Sequence, residues 1–180
     1  MRGFLVLLDR DGTVIKEKVY LADPDGVELV PGAIDGLKRL QEAGAVLVII
    51  SNQSGVGRGY FSEQDVEAVN GRMVEMLEQA GVRIHGVYYC PHAPEDGCGC
   101  RKPEIGLLKQ AEADTGLPLA SAVMIGDKAV DVEAGRRAGC RTILVLTGYG
   151  KEMRDRCDPD FVAEDLRAAA EWIVAQRPLP

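Results

Sequence analysis

Short apolar runs recur along the chain, and they constrain its fold more than any other feature; all are nearly continuous except 84–89, which His85 and Gly86 interrupt. In chain order they cover residues 4–8, 45–50, 84–89, 122–125 and 142–146, with a shorter candidate at 161–163. Runs of Val, Ile and Leu without polar alternation are typical of strands that are buried on both faces of a parallel sheet. The sequence therefore predicts such a sheet, with helices packed on both sides.

Amphipathic segments separate these runs. In residues 63–80, Val66, Val69 and Met73 recur at helical spacing, and Ser62 before them is a suitable N-cap. Further helices are predicted at residues 31–43, 104–115, 130–138 and 164–176. Because strands and helices alternate, we predict a doubly wound α/β fold with a mostly parallel sheet and right-handed crossovers.

Length and composition limit the classes of protein to which this chain can belong. The chain has 180 residues, of which 46% are hydrophobic and 27% charged, so a disordered or collagen-like chain is excluded. We expect one domain, residues 1–180, with an irregular end at 178–180. No apolar run approaches the ~20 residues of a membrane-spanning helix, and the first run leads directly into Asp9, unlike a signal peptide. We therefore expect a cytoplasmic protein without a membrane partner.

The charge balance bears on partners. The net charge is −7, from 21 basic and 28 acidic residues, and Lys and Arg do not cluster. An acidic chain without a basic patch predicts no nucleic-acid partner. No apolar helix face is left over in the pattern, which favours a monomer.

Polar residues follow the predicted strands at the end of the sheet where ligands bind in doubly wound folds. Asp9 and Asp11 follow the first strand, Ser51 the second, and Asp127 the fourth, while Lys102 precedes a helix. Three converging carboxylates would repel one another unless a cation lies between them, and such oxygen ligands suit Mg²⁺. Carboxylates, a divalent ion, a lysine and a hydroxyl together predict phosphoryl transfer.

These segments resemble the haloacid dehalogenase superfamily of phosphohydrolases over about residues 4–150. The resemblance rests on Asp9-Arg10-Asp11-Gly12-Thr13, Ser51, Lys102 and Gly126-Asp127. It implies a Rossmann-like core in which Asp9 is the nucleophile, becoming an aspartyl-phosphate, and Asp11 is the general acid and base.

The same resemblance implies the surroundings of the phosphoryl group. Ser51 and Lys102 would hold the phosphoryl oxygens. Mg²⁺ would be bound by the Asp9 carboxylate, the Asp11 backbone carbonyl and Asp127. We expect Asp131, four residues after Asp127, to orient Lys102 or the metal surroundings rather than to bind the metal.

Within the superfamily the sequence looks most like the D-glycero-D-manno-heptose 1,7-bisphosphate phosphatases, with histidinol phosphatases as close relatives. The features that carry this likeness are residues 52–56, 58–61, 89–92, 98–103 and 126–128. The implied substrate is a small phosphorylated sugar that loses its 7-phosphate. The substrate-binding residues implied are Glu17, Lys18, Val19, Tyr20, Ser51, Asn52, Gln53, Ser54, Arg101, Lys102 and Lys128.

Many members of the superfamily carry a cap domain over the active site. Here residues 14–50 are occupied by a loop, one helix and one strand, and residues 55–101 by a helix, a strand and a cysteine-rich segment. We therefore predict a capless enzyme whose specificity comes from loops.

The cysteine-rich segment has the spacing Cys90-x-His92-x5-Cys98-x-Cys100. Three thiolates and one imidazole form a closed tetrahedral set for a structural Zn²⁺. Zinc would give an irregular loop a reason to keep one shape and would position Arg101 and Lys102, which follow at once. Unrelated buried thiols and disulfides remain the alternatives.

Several alternative functions stay open at this point. Another small phosphomonoester could be the substrate, and a phosphomutase is possible, although the absent cap argues against it. The five-residue gap between His92 and Cys98 looks like the histidinol-phosphate version of the segment, so a histidinol-phosphate phosphatase is one. A phospho-accepting receiver-like domain also uses acidic residues, Ser and Lys around Mg²⁺, but has no reason to carry a second acid at Asp11. A zinc-bearing interaction domain would explain the cysteines and leave the strand-end residues without purpose.

Overall fold

Within residues 3–176, which the computed structural model describes, six strands form one entirely parallel sheet in the order β3-β2-β1-β4-β5-β6. The ends of the predicted domain, residues 1–2 and the irregular end at 178–180, lie outside these described residues. The strands are β1 Phe4–Leu8, β2 Ala45–Asn52, β3 Gly86–Cys90, β4 Val123–Gly126, β5 Arg141–Val145 and β6 Phe161–Ala163. All six apolar runs are confirmed as strands. The second run is longer than predicted because Ser51 and Asn52 pair with Tyr89 and Cys90 of β3.

The helices of the described part of the chain are α1 Ala33–Glu42, α2 Ser54–Gly57, α3 Glu63–Gln79, α4 Gly106–Thr115, α5 Ala129–Arg137, α6 Gly150–Met153 and α7 Leu166–Ala175. The start of α3 is as predicted: the Ser62 hydroxyl accepts a hydrogen bond from the Asp65 N–H, and the Asp65 carboxylate accepts one from the Ser62 N–H. The predicted helix at 164–176 begins at Leu166 instead, because the Asp165 side chain caps it by accepting from the Ala168 N–H at 2.8 Å.

Alternation along β1 shows how the sheet is covered. Val6 and Leu8 lie in the larger core cluster with α1, α3 and α7, whereas Leu5 and Leu7 lie in a second cluster with α4 and α5. Successive strand residues point to opposite faces, so an uninterrupted apolar run needs helices on both sides. This is the doubly wound arrangement that the sequence predicts.

The strand order fixes where ligands can bind. The chain passes from β1 outward to β2 and β3 and then returns to β4 on the other side of β1, and the crevice beyond the carboxyl ends at this reversal is the binding position of such sheets. Among the described residues, a 3₁₀ turn at Pro24–Gly26 and α1 fill the β1–β2 connection, and α2 and α3 fill the β2–β3 connection. The fold is therefore capless. No helix within the described residues combines the length and the apolar character that a membrane span requires.

Candidate active site

Lys102 is the central buried charge of the crevice. Its Nζ lies 2.8 Å from Asp9 Oδ1, 2.7 Å from Asp131 Oδ1 and 2.7 Å from the backbone oxygen of Ile50. These three contacts match the three protons of an ammonium group. Burial lowers the pKa of Lys102, but the Asp131 and Asp9 carboxylates outweigh it and raise the pKa above its ordinary value. Asp131 thus contacts Lys102, as the sequence predicts.

The backbone of Lys102 is held from β2. The Asn52 side chain donates to the Lys102 oxygen at 3.0 Å and accepts from the Lys102 N–H at 2.9 Å. The peptide bond from Lys102 to Pro103 is cis. Both polar ends of the Asn52 amide are therefore engaged in placing Lys102, although Asn52 also borders the cleft predicted for substrate.

Asp127 follows β4 and is fully buried. Its Oδ2 accepts a hydrogen bond of 2.8 Å from the Tyr149 N–H, whereas its Oδ1 has no hydrogen-bond partner among the described residues. Burial, reinforced by the nearby charges of Asp9 and Asp131, raises the pKa of Asp127 to about 8. Gly12 has φ +83, and a Cβ there would overlap the Asp127 carboxylate. Only glycine therefore fits at this position of the first motif.

This carboxylate cluster fits a divalent cation. Asp9, Asp127 and Asp131 each offer an oxygen within 4.8 Å of the others. Burial also raises the pKa of Asp131, to about 6. Burial likewise raises the pKa of Asp9, but the charges of Lys102 and Lys128 outweigh it and hold that pKa below its ordinary value. One lysine within the cluster does not neutralise three acids, and the free Asp127 oxygen is an available ligand, so Mg²⁺ fits these residues.

Asp11, two residues after Asp9, does not join the carboxylate cluster through its side chain. Its Oδ2 accepts from Arg10 Nε at 3.0 Å and from Gln53 Nε2 at 2.9 Å, and its Oδ1 accepts from Arg10 Nη2 at 3.2 Å. Gln53 Nε2 also lies 3.3 Å from Ser51 Oγ. Asp11 therefore faces the cleft beside Asp9 as a separate carboxylate with its own donors.

A cleft of about 250 Å³ opens above these residues. Of the side chains predicted to bind substrate, it is lined by Glu17, Val19, Tyr20, Asn52, Gln53, Ser54, Arg101 and Lys128. Ser51 and Lys102 are buried beneath it. Lys18 is not brought to the cleft: its Nζ pairs with Glu28 Oε1 at 2.5 Å on the exposed side of the loop. This ion pair directs the Lys18 side chain away from its predicted neighbours Glu17 and Val19, which line the cleft.

Glu17 links the loop over the cleft to the lysine at its base. Its Oε1 accepts from the Val19 N–H at 3.0 Å, and its Oε2 accepts from Lys128 Nζ at 3.0 Å. Val19 and Tyr20 have φ +43 and +59, an unusual conformation for a β-branched and an aromatic residue. Tyr20 packs edge-on against Tyr60 with ring centroids 4.8 Å apart. The loop is thus held in a strained shape by contacts on both sides.

The predicted zinc ligands come together at the end of β3. Cys100 Sγ lies 2.8 Å from Cys90 Sγ, 3.5 Å from Cys98 Sγ and 3.3 Å from His92 Nδ1. Sulfurs that share a tetrahedral Zn²⁺ at about 2.3 Å lie ~3.8 Å apart. The Cys100–Cys98 separation is close to this value, and the Cys100–Cys90 separation is shorter. All five cysteines are free thiols, so the disulfide alternative is not realised. The donor set fits Zn²⁺.

Proteins of a known family resemble this chain in sequence. Residues 99–169 match the family model described as HAD-hydrolase-like. The D-glycero-D-manno-heptose-1,7-bisphosphate 7-phosphatase of Thermosynechococcus vestitus is 40% identical, over 93% of this chain and 94% of that protein. The corresponding Pseudomonas aeruginosa enzyme, named for the β anomer, is 36% identical over 97% and 99%. The chain belongs to this phosphatase family.

A solved member of the family has the same fold. The crystal structure of D,D-heptose 1,7-bisphosphate phosphatase from B. bronchiseptica, complexed with magnesium and phosphate, superposes with a TM-score of 0.90. It is 34% identical and covers 97% of this chain and 99% of that one. The resemblance to the haloacid dehalogenase superfamily seen in the sequence is thereby confirmed.

Two buried polar residues of this chain were not predicted from the sequence. Arg10 lies inside the first motif and is 1% exposed, and Asn70 lies on α3 and is 7% exposed. The position of Asn70 within the apolar stripe of α3 could have indicated it, because a buried amide needs a hydrogen-bond partner. Arg10 carried no signal of burial, since arginine is usually exposed.

Proposed function

We propose that this protein is a Mg²⁺-dependent phosphomonoester hydrolase that removes the 7-phosphate of D-glycero-D-manno-heptose 1,7-bisphosphate. The observation that carries the proposal is the buried cluster of Asp9, Lys102, Asp127 and Asp131 below a cleft, with Asp11 beside it. The names of the relatives, one of them solved with magnesium and phosphate, support the reaction and its substrate. Membership of a phosphatase family also speaks against the receiver-like and interaction-domain alternatives.

In the first step a carboxylate oxygen of Asp9 attacks phosphorus. The bond from phosphorus to the sugar oxygen breaks, and that oxygen takes a proton from Asp11, so the sugar leaves as an alcohol. Lys102 already contacts Asp9 Oδ1 at 2.8 Å, which favours the ionised, nucleophilic form of Asp9. Ser51 and Lys102 then hold the phosphoryl oxygens.

In the second step water attacks the aspartyl-phosphate. Asp11 takes a proton from that water, the bond between phosphorus and Asp9 breaks, and inorganic phosphate leaves. Mg²⁺ held by Asp9, Asp127 and the Asp11 carbonyl would offset negative charge on the phosphoryl group. Because Lys102 Nζ already contacts three protein oxygens, we expect a phosphoryl oxygen to replace one of these contacts.

Arg101 and Lys128 adapt the cleft to an anionic sugar. Both border it, in a protein whose net charge is −7. Burial lowers the pKa of Lys128, but Asp9, Asp127 and Glu17 outweigh it and raise the pKa, so this lysine stays cationic. Zn²⁺ on the cysteine segment would fix the backbone that leads into Arg101. A monomer in the cytoplasm remains the prediction of the sequence.

The experiment is a comparison of Asp9→Asn with Asp158→Asn, a matched substitution whose side chain is 88% exposed. Each variant is assayed with Mg²⁺ on both anomers of heptose 1,7-bisphosphate and on histidinol phosphate. We expect the parent and Asp158→Asn to have their highest kcat/KM on a heptose bisphosphate. The kcat/KM of Asp9→Asn should be lower by at least about 10³-fold.

Other outcomes would reassign the function. Undiminished turnover by Asp9→Asn would remove Asp9 as the nucleophile. Highest kcat/KM on histidinol phosphate would favour the related histidinol phosphatases. An aspartyl-phosphate that persists for minutes in the parent, without release of phosphate, would favour a receiver-like domain.

A further inference from the structure

The helix α3 carries a buried amide at Asn70. Its neighbours on the same face, Val69 and Met73, belong to the hydrophobic core, and Asn70 is only 7% exposed. A buried amide among apolar side chains is unfavourable unless it is hydrogen-bonded. Asn70 Oδ1 accepts a hydrogen bond of 2.8 Å from Arg10 Nη1. The amide therefore has one evident task, which is to hold the guanidinium of Arg10.

Arg10 passes this restraint on to Asp11. Its Nε donates to Asp11 Oδ2 at 3.0 Å, and its Nη2 donates to Asp11 Oδ1 at 3.2 Å. The guanidinium is planar and rigid, so fixing Nη1 also fixes the two nitrogens that face the carboxylate. Arg10 is 1% exposed, which leaves it little freedom to adopt another orientation. A continuous chain of contacts thus runs from α3 through Arg10 to both oxygens of Asp11.

We propose that Asn70 is a positioning residue for proton transfer, setting the orientation of Asp11 through Arg10. The inference rests on the proposed function, which gives Asp11 the role of acid and base. Arg10 and Asp11 border the cleft, whereas Asn70 is not among its lining residues. An effect of Asn70 on the reaction must therefore pass through Arg10 rather than through contact with substrate.

The leaving group separates positioning from a general structural role. When the bond from phosphorus to an alkoxide breaks, the oxygen needs the proton of Asp11, because an alkoxide is strongly basic. A p-nitrophenolate is weakly basic and departs without that proton. Misplacement of Asp11 should therefore slow formation of the aspartyl-phosphate from the sugar phosphate and leave that from p-nitrophenyl phosphate nearly unchanged. A disturbed fold should slow both. This step is measured by kcat/KM, because the later attack of water, in which Asp11 also acts, affects only kcat.

The test compares Asn70→Leu, which removes the acceptor and keeps the volume, with Asn70→Asp, which keeps an oxygen at the same place. Asn70→Ala, which leaves room for water beside Arg10, replaces the leucine variant if that is not recovered folded. Met73→Leu, a volume-conserving change on the same helix face, is the control for altered packing. Each is assayed with Mg²⁺ on heptose 1,7-bisphosphate, phenyl phosphate and p-nitrophenyl phosphate.

We expect Asn70→Leu or Asn70→Ala to lose about 10-fold or more in kcat/KM on heptose bisphosphate and less than about 2-fold on p-nitrophenyl phosphate, with phenyl phosphate between them. Asn70→Asp should recover most of the loss, and Met73→Leu should resemble the parent. Equal losses on all three substrates, or no loss on any, would overturn the inference. If the parent hydrolyses only the aryl phosphates, the proposed substrate is wrong, while the steeper dependence of the Asn70 variants on the aryl leaving group still tests the inference.

Discussion

Replacing Lys102 by Met removes the only cation that contacts Asp9 and Asp131 together, as far as residues 3–176 are described. Three contacts of 2.7–2.8 Å are lost, two of them to carboxylates in a buried site. Removing one member of a buried ion pair costs about 3–5 kcal/mol, because the partner charge stays uncompensated. For a chain of 180 residues this corresponds to a fall in Tm of about 6–20 °C.

The assay is denaturant unfolding in buffer without added Mg²⁺, with Lys109→Met as the control. Lys109 is exposed on α4, so its replacement should change the free energy of unfolding by no more than about 0.5 kcal/mol. In Lys102→Met the freed carboxylates favour protonation, which raises their folded-state pKa above the unfolded value. The stability deficit should therefore shrink as the pH is lowered and grow as it is raised.

Relief of the uncompensated charge should restore part of the stability. Adding Asp131→Asn to Lys102→Met removes one uncompensated carboxylate and should recover at least about 1 kcal/mol, a coupling that independent sites would not show. Added Mg²⁺ should also recover part of the loss. The reasoning is refuted if Lys102→Met unfolds at the same denaturant concentration as Lys109→Met.

Two further predictions concern the glycine beside the acid cluster and the zinc ligands. Gly12→Ala should lower Mg²⁺-dependent activity by about 10²-fold or more, because its Cβ would overlap the Asp127 carboxylate. The control Gly44→Ala, at φ +86 with open space around it, should keep full activity in the same kinetic assay. Equal activities of the two variants would contradict this prediction. Cys98→Ser should lower the zinc content measured by elemental analysis from about one ion per chain to near zero and reduce Tm, whereas Cys157→Ser should retain the zinc. Undiminished zinc in Cys98→Ser would exclude it as a ligand.

Features that depend only on local pattern were predictable from the sequence. The six strands followed from apolar runs, because a strand buried on both faces needs no information from elsewhere in the chain. Helix boundaries were less accurate where a cap decided them, as at Asp165. The cysteine segment could be read as a metal site because all four donors lie within eleven residues.

Contacts between distant segments were harder to predict. Lys18 was expected at the cleft and pairs with Glu28 instead, since the local shape of the loop decides which way a side chain points. Asn52 was expected to contact substrate; it borders the cleft, and it also holds the backbone of Lys102 through both ends of its amide, which the sequence did not indicate. In both cases, nothing in the local sequence around one residue indicates its contact with the other.

The sequence by itself determined the layered α/β fold and the set of chemical groups at the strand ends, because both follow from residue type and local spacing. Only the tertiary structure decided how these groups share charge: that Lys102 lies between Asp9 and Asp131, and that Asp127 keeps an oxygen without a protein partner. It also joined Asn70 to Asp11 through Arg10, across 59 residues of chain. The physical reason is that burial and pairing of charges depend on distances between segments, which packing sets and local sequence does not encode.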